Sequence, residues 1–162
     1  MGAALRLAAL GALSVFALFA AGPSELADFT QKEHRELLKQ NRGQVILFDF
    51  WATWCAPCRA EMPLLVQLER RLRAQGFRLI TVSADEPGEK QEALKFLRES
   101  DAPAPAFIKS VEDDDAFINA IHPQWSGALP ALFLYDRQGK LARMFIGESA
   151  ITEIEAAVKA LL

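Results

Sequence analysis

Cysteine and histidine are scarce in this chain, which has two of each among its 162 residues. Both cysteines, Cys55 and Cys58, lie in one short motif, so none is left for a separate structural disulfide. A zinc site built on the motif needs two further ligands, and the only histidines are His34 and His122. A c-type haem attachment needs histidine directly after the second cysteine, where Arg59 stands. We therefore expect no metal site and a cysteine pair that reacts.

Positive charge is not in excess. Lys and Arg number 18 against 21 Asp and Glu, which gives a formal net charge of -3. This balance argues against nucleic acid as a partner, because domains that bind nucleic acid carry a strongly basic surface. Arg70, Arg71 and Arg73 do cluster, but at the end of a predicted helix, where cations complement the helix dipole. Internal repeats and low-complexity linkers are also lacking, so we expect one folded domain.

The N-terminal apolar run, residues 7–21, is shorter than the roughly 20 residues that a transmembrane helix needs. One positive charge, Arg6, precedes it, as is typical of a signal peptide. The cleavage pattern around Gly22-Pro23 is poor, so an uncleaved membrane anchor stays open as the alternative. We expect residues 1–22 to be a signal peptide or anchor and residues 23–162 to be the domain. The protein would then be exported, to the periplasm or another extracytoplasmic compartment.

Hydrophobic patterns predict alternating strands and helices. The continuous apolar run Val45–Trp51 is typical of a central strand buried on both faces, and Phe77–Ser83 of a second strand. A helix predicted over 56–74 joins them, which indicates a parallel βαβ unit. The other predicted elements are a helix after the capping box Thr30–Glu33, a helix over 89–100, a short strand at 107–108, a helix over 111–121, a hairpin of 130–135 with 141–146, and a last helix from Ser149. Together they predict an α/β fold with a mixed sheet.

The turn Cys55-Ala56-Pro57-Cys58 joins the first of these strands to its helix. Cys55 therefore lies beside the helix N-terminus, where unpaired backbone N–H groups and the dipole stabilise an anionic thiolate. Such a thiolate attacks a substrate disulfide. Cys58, about one helical turn further on, can then attack the mixed disulfide and release the reduced substrate. Pro57 stiffens the turn where a missing N–H does little harm, and the whole pattern indicates thiol–disulfide exchange.

The segment Phe48–Cys58 resembles the active-site stretch of the thioredoxin superfamily. Residues 59–63 are similar to its exported TlpA/ResA-like branch, and the resemblance extends over residues 30–162. It implies a thioredoxin-like fold with a mixed central sheet flanked by helices and an inserted helical segment before the hairpin. It also implies a cis Leu129-Pro130 peptide, with the backbone of Leu129 pairing with an extended substrate strand. Ala131 departs from the threonine that the family often carries there, and residues 99–123 do not match the family's core.

The resemblance also suggests roles for two acidic residues. Asp49 corresponds to the buried acid beneath the thioredoxin active site, and Glu61 to the acid after the second cysteine in the TlpA/ResA-like branch. Burial raises the pKa of a carboxyl group, which suits Asp49 to accept the proton of Cys58, while Glu61 tunes the site. The alternatives are an Asp49 bonded to backbone or water and a Glu61 that complements the helix dipole.

Residues that bind substrate are expected around the turn and the cis-proline peptide: Trp54, Ala56, Pro57, Leu129, Pro130 and Trp125. Two of them, Trp54 and Trp125, are predicted to form an apolar docking platform, with core or rim packing as the alternative.

We expect an enzyme, a protein-disulfide reductase with no cofactor beyond the Cys55–Cys58 disulfide. By resemblance, its partners are a disulfide-bearing protein such as apocytochrome c and a membrane thiol electron donor, with membrane contact only through residues 1–22. Ala56-Pro57 differs by a methyl group from the Gly-Pro of reducing thioredoxins, which favours reduction. Two alternatives stay open: a disulfide-forming oxidant on the same fold, and a metal or haem chaperone that uses the cysteines as ligands.

Overall fold

Six strands and five helices make up residues 22–162, which the computed structural model describes. Along the chain these elements are β1 (Leu26–Phe29), α1 (Gln31–Gln40), β2 (Val45–Trp51), α2 (Ala56–Leu72), β3 (Phe77–Ser83), α3 (Lys90–Glu99), β4 (Ala106–Lys109), α4 (Asp114–Ile121), β5 (Ala131–Tyr135), β6 (Leu141–Ile146) and α5 (Ile151–Lys159). The strands form one sheet in the order β1-β4-β3-β2-β5-β6. The pairs from β1 to β2 are parallel and the pairs β2–β5 and β5–β6 antiparallel, which confirms the predicted α/β fold with a mixed sheet.

The strand β2 lies in the middle of the sheet, and all seven of its residues are buried. Successive side chains of a strand point to opposite faces, so β2 supplies two cores. On one face Val45, Leu47 and Trp51 pack with buried residues of α2, α3 and α5. On the other face Phe48 and Phe50 pack with Phe29 and with residues of α1 and α4. Six of the seven residues are apolar, the exception being Asp49, as expected for a strand covered on both faces.

Several loops meet at one edge of the sheet, the edge where β2 and β3 end. Trp51 pairs with Ser83, so β2 and β3 end side by side. Because β5 runs antiparallel to β2, its first residue Ala131 lies beside Phe50, and the end of β6 lies next to Ala131 in turn. The cysteine turn, the loop after β3, the Leu129-Pro130 peptide and the loop after β6 therefore meet at this edge.

The predicted elements are confirmed apart from their ends. The helix α2 stops at Leu72, and a 3-10 turn continues to Gly76, whose φ of 96° lies in the left-handed region. The helix α4 begins at Asp114 instead of residue 111, because the side chain of Asp113 caps it by accepting the backbone N–H of Ala116 at 2.9 Å. Similarly, α3 begins at Lys90 after a 3-10 turn, and α5 begins at Ile151 instead of Ser149.

Two features were not predicted, and a third differs in part from its prediction. The edge strand β1 has four residues with no apolar alternation, and it forms by pairing with β4, itself two residues longer than predicted. A second cis peptide joins Ala104 to Pro105. Between β3 and the hairpin, the short strand predicted at 107–108 forms as β4, so the predicted inserted helical segment adds a strand to the sheet as well as helices.

The predicted signal peptide or anchor lies outside the described residues, apart from Gly22. Within 22–162, no helix is both long and apolar enough to cross a membrane. The same range contains no group of three or more His, Cys, Asp or Glu side chains that could hold a metal ion.

Candidate active site

Cys55 and Cys58 form a disulfide at the N-terminus of α2. Cys55 is the N-cap residue, with an extended backbone, and its Sγ accepts the backbone N–H of Cys58 at 3.3 Å. Ala56 and Pro57 are the first two helical residues, so the proline falls where its missing N–H has no partner to lose. Cys55 is 6% exposed and Cys58 2%, which makes Cys55 the more accessible of the pair.

A buried carboxylate, Asp85, holds the segment before the cysteines in place. It accepts the backbone N–H of Thr53 at 3.0 Å and the hydroxyls of Thr53 and Ser83 at 2.7 Å each. Hydrogen bonds to an ionised acceptor are the strong ones, so Asp85 ties the end of β3 to the cysteine turn. Sequence patterns assign no role to Asp85, which follows the predicted strand Phe77–Ser83. Its position directly after β3, beside the end of β2, was the signal that could have identified it.

Asp49 and Glu61 are the acids closest to the disulfide in sequence, and both are buried. Asp49 shares the face of β2 that α2 covers, since it alternates with Leu47 and Trp51 along the strand. Burial, together with the charge of Glu61, raises the pKa of Asp49 well above its usual range. Burial, together with the charge of Glu148, raises the pKa of Glu61 to about 7.

The buried oxygen of Glu61, Oε1, has no hydrogen-bond partner among the described residues. The side chain lines a surface cavity of about 220 Å³ with Pro57, Leu64 and Glu148. Glu148 comes from the loop after β6, which thus lies against the first turns of α2. The two carboxyl groups share this cavity, whose wall also includes Pro57 of the cysteine turn.

The Leu129-Pro130 peptide is cis, as the resemblance implied. Ala131 pairs with Phe50, so Pro130 lies beside the end of β2, just before the cysteine turn. The carbonyl of Pro130 accepts the backbone N–H of Gly147 at 2.8 Å, which fixes the peptide to the loop after β6. The substrate-pairing role of Leu129 stays a prediction.

The two tryptophans of the expected docking platform differ in exposure. Trp54 is 67% exposed, whereas Trp125 is 6% exposed and packs on Phe50 and Phe133 at centroid distances of 4.9 and 5.3 Å. They do not make one flat surface. Instead both line a cavity of about 150 Å³, which Leu129 also borders. Trp54 thus lies at the surface and Trp125 forms an inner wall of the cavity, and a substrate-docking role for the two stays a prediction.

Comparisons with known proteins agree with this geometry. The chain matches the AhpC/TSA family over residues 22–144. The thiol-disulfide oxidoreductase ResA of Geobacillus thermodenitrificans is 32% identical over 130 residues, which cover 80% of this chain and 69% of the relative. ResA of Bacillus cereus is 33% identical over 119 residues, which cover 73% of this chain and 64% of the relative.

One solved structure is similar to the chain in both sequence and fold. The crystal structure of a putative thiol:disulfide interchange protein DsbE from Chlorobium tepidum has 28% identity and a TM-score of 0.63, and the match covers 76% of this chain and 84% of that one. The chain carries a cysteine pair at disulfide distance where the central strand meets its helix. The chain therefore belongs to the AhpC/TSA family of the thioredoxin superfamily, among its thiol–disulfide oxidoreductases.

Proposed function

We propose that the protein works as a reductant: its Cys55–Cys58 dithiol reduces disulfides of exported proteins, for example during cytochrome c maturation. The observation that carries the direction is a pair of buried carboxyl groups, Asp49 on β2 and Glu61 on α2, the two elements that the cysteine turn joins. Burial, with the charge of Glu61, raises the pKa of Asp49, and burial, with the charge of Glu148, raises the pKa of Glu61. By contrast, the guanidinium of the neighbouring Arg59 lies over the ring of Phe96, 5.0 Å from its centroid.

These carboxyl groups favour reduction for an electrostatic reason. The surroundings that raise the pKa values of Asp49 and Glu61 also destabilise a thiolate relative to the thiol and the disulfide, because burial and nearby carboxyl groups penalise an added negative charge. A strong oxidant such as DsbA owes its high potential to a stabilised reduced form, so a destabilised thiolate acts in the opposite direction. The helix N-terminus stabilises the thiolate of Cys55 and so offsets part of this effect. For the same reason Cys55 is a better nucleophile than Cys58.

The reaction runs in two displacements. The thiolate of Cys55 attacks one sulfur of the substrate disulfide, so a mixed disulfide forms and a first substrate thiolate leaves and takes up a proton. Asp49 then accepts the proton of Cys58, whose thiolate attacks the sulfur of Cys55. This step forms the Cys55–Cys58 bond and releases the second substrate thiolate. Two electrons have passed from the dithiol to the substrate.

Each turnover leaves the protein oxidised, so an electron donor must restore the dithiol. We assign this step to a membrane thiol protein, and we assign no cofactor beyond the cysteine pair. The N-terminal pattern of Arg6 and the apolar residues 7–21 supports export and contact with the membrane through residues 1–22 alone. Cell fractionation of the full chain tests this location, and recovery in the cytoplasm would contradict it.

The midpoint potential of the Cys55–Cys58 couple tests the direction. A reductase should lie near the thioredoxin value of about -270 mV, whereas DsbA lies near about -120 mV. Removing a carboxyl charge with Glu61→Gln should raise the potential, and Glu92→Gln, an exposed acid on α3, should leave it unchanged. A wild-type value near the upper limit would make the protein a disulfide-forming oxidant, in which the helix N-terminus at Cys55 outweighs the carboxyl groups.

A further inference from the structure

We infer that the cavity between Trp54 and Trp125 is a subsite for one apolar side chain of the substrate, the size of leucine, methionine or phenylalanine. This cavity, called the α4 cavity below, is lined chiefly by Phe50, Trp54, Phe117, Ile118, Trp125 and Leu129. The inference rests on the proposed reduction of a protein disulfide, and it adds which kind of residue the substrate carries close to its cysteine.

The α4 cavity lies where a bound substrate strand would pass. One wall, Trp54, directly precedes the nucleophile Cys55, and another, Leu129, belongs to the cis peptide. A substrate strand pairs through its backbone, and its side chains enter pockets on either side. A side chain near the target cysteine is therefore brought to the cavity mouth. Trp54 also leaves a large apolar surface exposed in the free protein, which a bound chain would cover.

The chemistry of the walls favours an apolar occupant. Most lining side chains are aromatic or aliphatic. The indole N–H of Trp125 is already donated to the carbonyl of Ala128 at 2.9 Å. The ammonium of Lys109, at the rim, lies 2.7 Å from a carboxylate oxygen of Asp114 and 3.6 Å from one of Glu86. A charged substrate residue would have to compete with these pairs, whereas an apolar one leaves them intact.

The cavity volume suits one side chain. At about 150 Å³ it matches the size of an apolar protein cavity that takes up a benzene molecule. Its shape is also held firmly, because Gly127, with a φ of 82°, brings the loop before the cis peptide hard against Ile118. A Cβ at residue 127 would lie 2.7 Å from the Cδ1 of Ile118. The pocket is thus formed before substrate arrives, which lowers the cost of binding.

A peptide series tests the inference. Each peptide carries one disulfide, and the two residues on either side of the target cysteine are replaced one at a time by Ala, Leu, Phe, Glu or Lys. At one of these positions we expect Leu or Phe to raise kcat/KM at least about tenfold over Ala, the discrimination typical of an apolar pocket, and Glu or Lys to give no such gain. Reduction of all peptides at equal rates would overturn the subsite and leave the proposed reductase intact. Reduction of none would overturn both.

A variant that fills the α4 cavity tests the assignment of the site. Ala84 borders the cavity, and Ala84→Leu puts three more carbons into it. This variant should lose the preference, so that its kcat/KM for the Leu and Phe peptides falls to its own value for the Ala peptide. Ala120→Leu, an exposed position on α4, is the matched control and should keep the preference. If Ala84→Leu does not fold, Ile118→Phe fills the cavity from the other wall, and a preference that survives the filling substitution would refute the proposal.

Discussion

Asp49 is a carboxyl group in the most buried strand of the protein, where its ionised form is least stable. The proposed mechanism uses this property, because a carboxylate with a raised pKa is a better base for the thiol of Cys58. Asp49→Asn should therefore slow the resolution of the mixed disulfide at neutral pH by at least about tenfold, a modest share of what a general base supplies. Single-turnover kinetics from pH 6 to 9 provide the measurement. If they match the wild type, Asp49 takes no part in the step.

The same substitution should make the protein more stable. A carboxyl group whose pKa is raised by folding binds its proton more tightly in the folded state, so stability falls as the pH rises from the unfolded pKa through the folded one. Asn cannot ionise, and Asp49→Asn should raise the Tm at pH 8 by at least about 2–4 °C, the shift that 1 kcal/mol produces in a domain of this size. Thr81→Val is the control, because it changes a buried polar side chain at the neighbouring position but removes no ionisable group. Thr81 lies opposite Asp49 in the β2–β3 pair, and its hydroxyl group has no hydrogen-bond partner among the described residues.

His34 on α1 makes the opposite contribution to pH dependence. It is buried against the rings of Phe48 and Tyr135, with centroids 4.8 and 5.5 Å away, and burial with the charge of Arg35 lowers its pKa from 6.5 to about 4. As the pH falls, His34 takes up a proton at a higher pH in the unfolded chain than in the folded protein. The wild type should therefore lose up to about 3 kcal/mol of stability between pH 6.5 and 4. In urea unfolding His34→Phe should remove this loss. His122→Gln should retain it, and a retained loss in His34→Phe would show that other groups cause it.

At the scale of elements, the site depends on the connection between β3 and the cysteine turn. Asp85 accepts three kinds of hydrogen bond there, and Asn can replace only part of them because one side of its amide donates. Asp85→Asn should therefore destabilise the protein by about 2 kcal/mol, as expected for buried hydrogen bonds to a charged group, and lower kcat/KM for protein disulfides. Urea unfolding measures the first effect. Asp28→Asn, on an exposed position of β1, is the control, and equal stabilities of the two variants would contradict the anchoring role.

The elements that the sequence predicts well are those whose pattern is local. A seven-residue run such as β2, apolar apart from Asp49, carries its own signal, and so does a helix with a cysteine turn before it. The strand β1 carries none, because its four residues become a strand only through pairing with β4. The residues of the site divide in the same way, into those with a local sequence signal and those whose position depends on distant contacts. The cysteines were predictable from spacing, but the burial of Trp125 and the anchoring by Asp85 depend on contacts between segments that are distant in the sequence.

At the scale of the whole molecule, the direction of electron flow and the stability of the fold are linked. The disulfide and the dithiol can each form in the folded or the unfolded chain, and the four states make a closed cycle. If folding lowers the potential of the cysteine pair, then the oxidised protein must be more stable than the reduced one by the same free energy. About 30 mV corresponds to 1.4 kcal/mol for this two-electron couple. The carboxyl groups around the site, which disfavour the thiolate, predict this sign.

The oxidised protein should therefore unfold at a Tm at least about 4 °C above that of the reduced protein at pH 7, since 1–2 kcal/mol produces such a shift in a domain of this size. The measurement compares thermal unfolding with and without an excess of dithiothreitol, and the double variant Cys55→Ala, Cys58→Ala serves as the control that should show no difference. A reduced form that is the more stable one would mean that folding raises the potential. The same site would then stabilise its thiolate in spite of the buried acids, and the protein would form disulfides instead of reducing them.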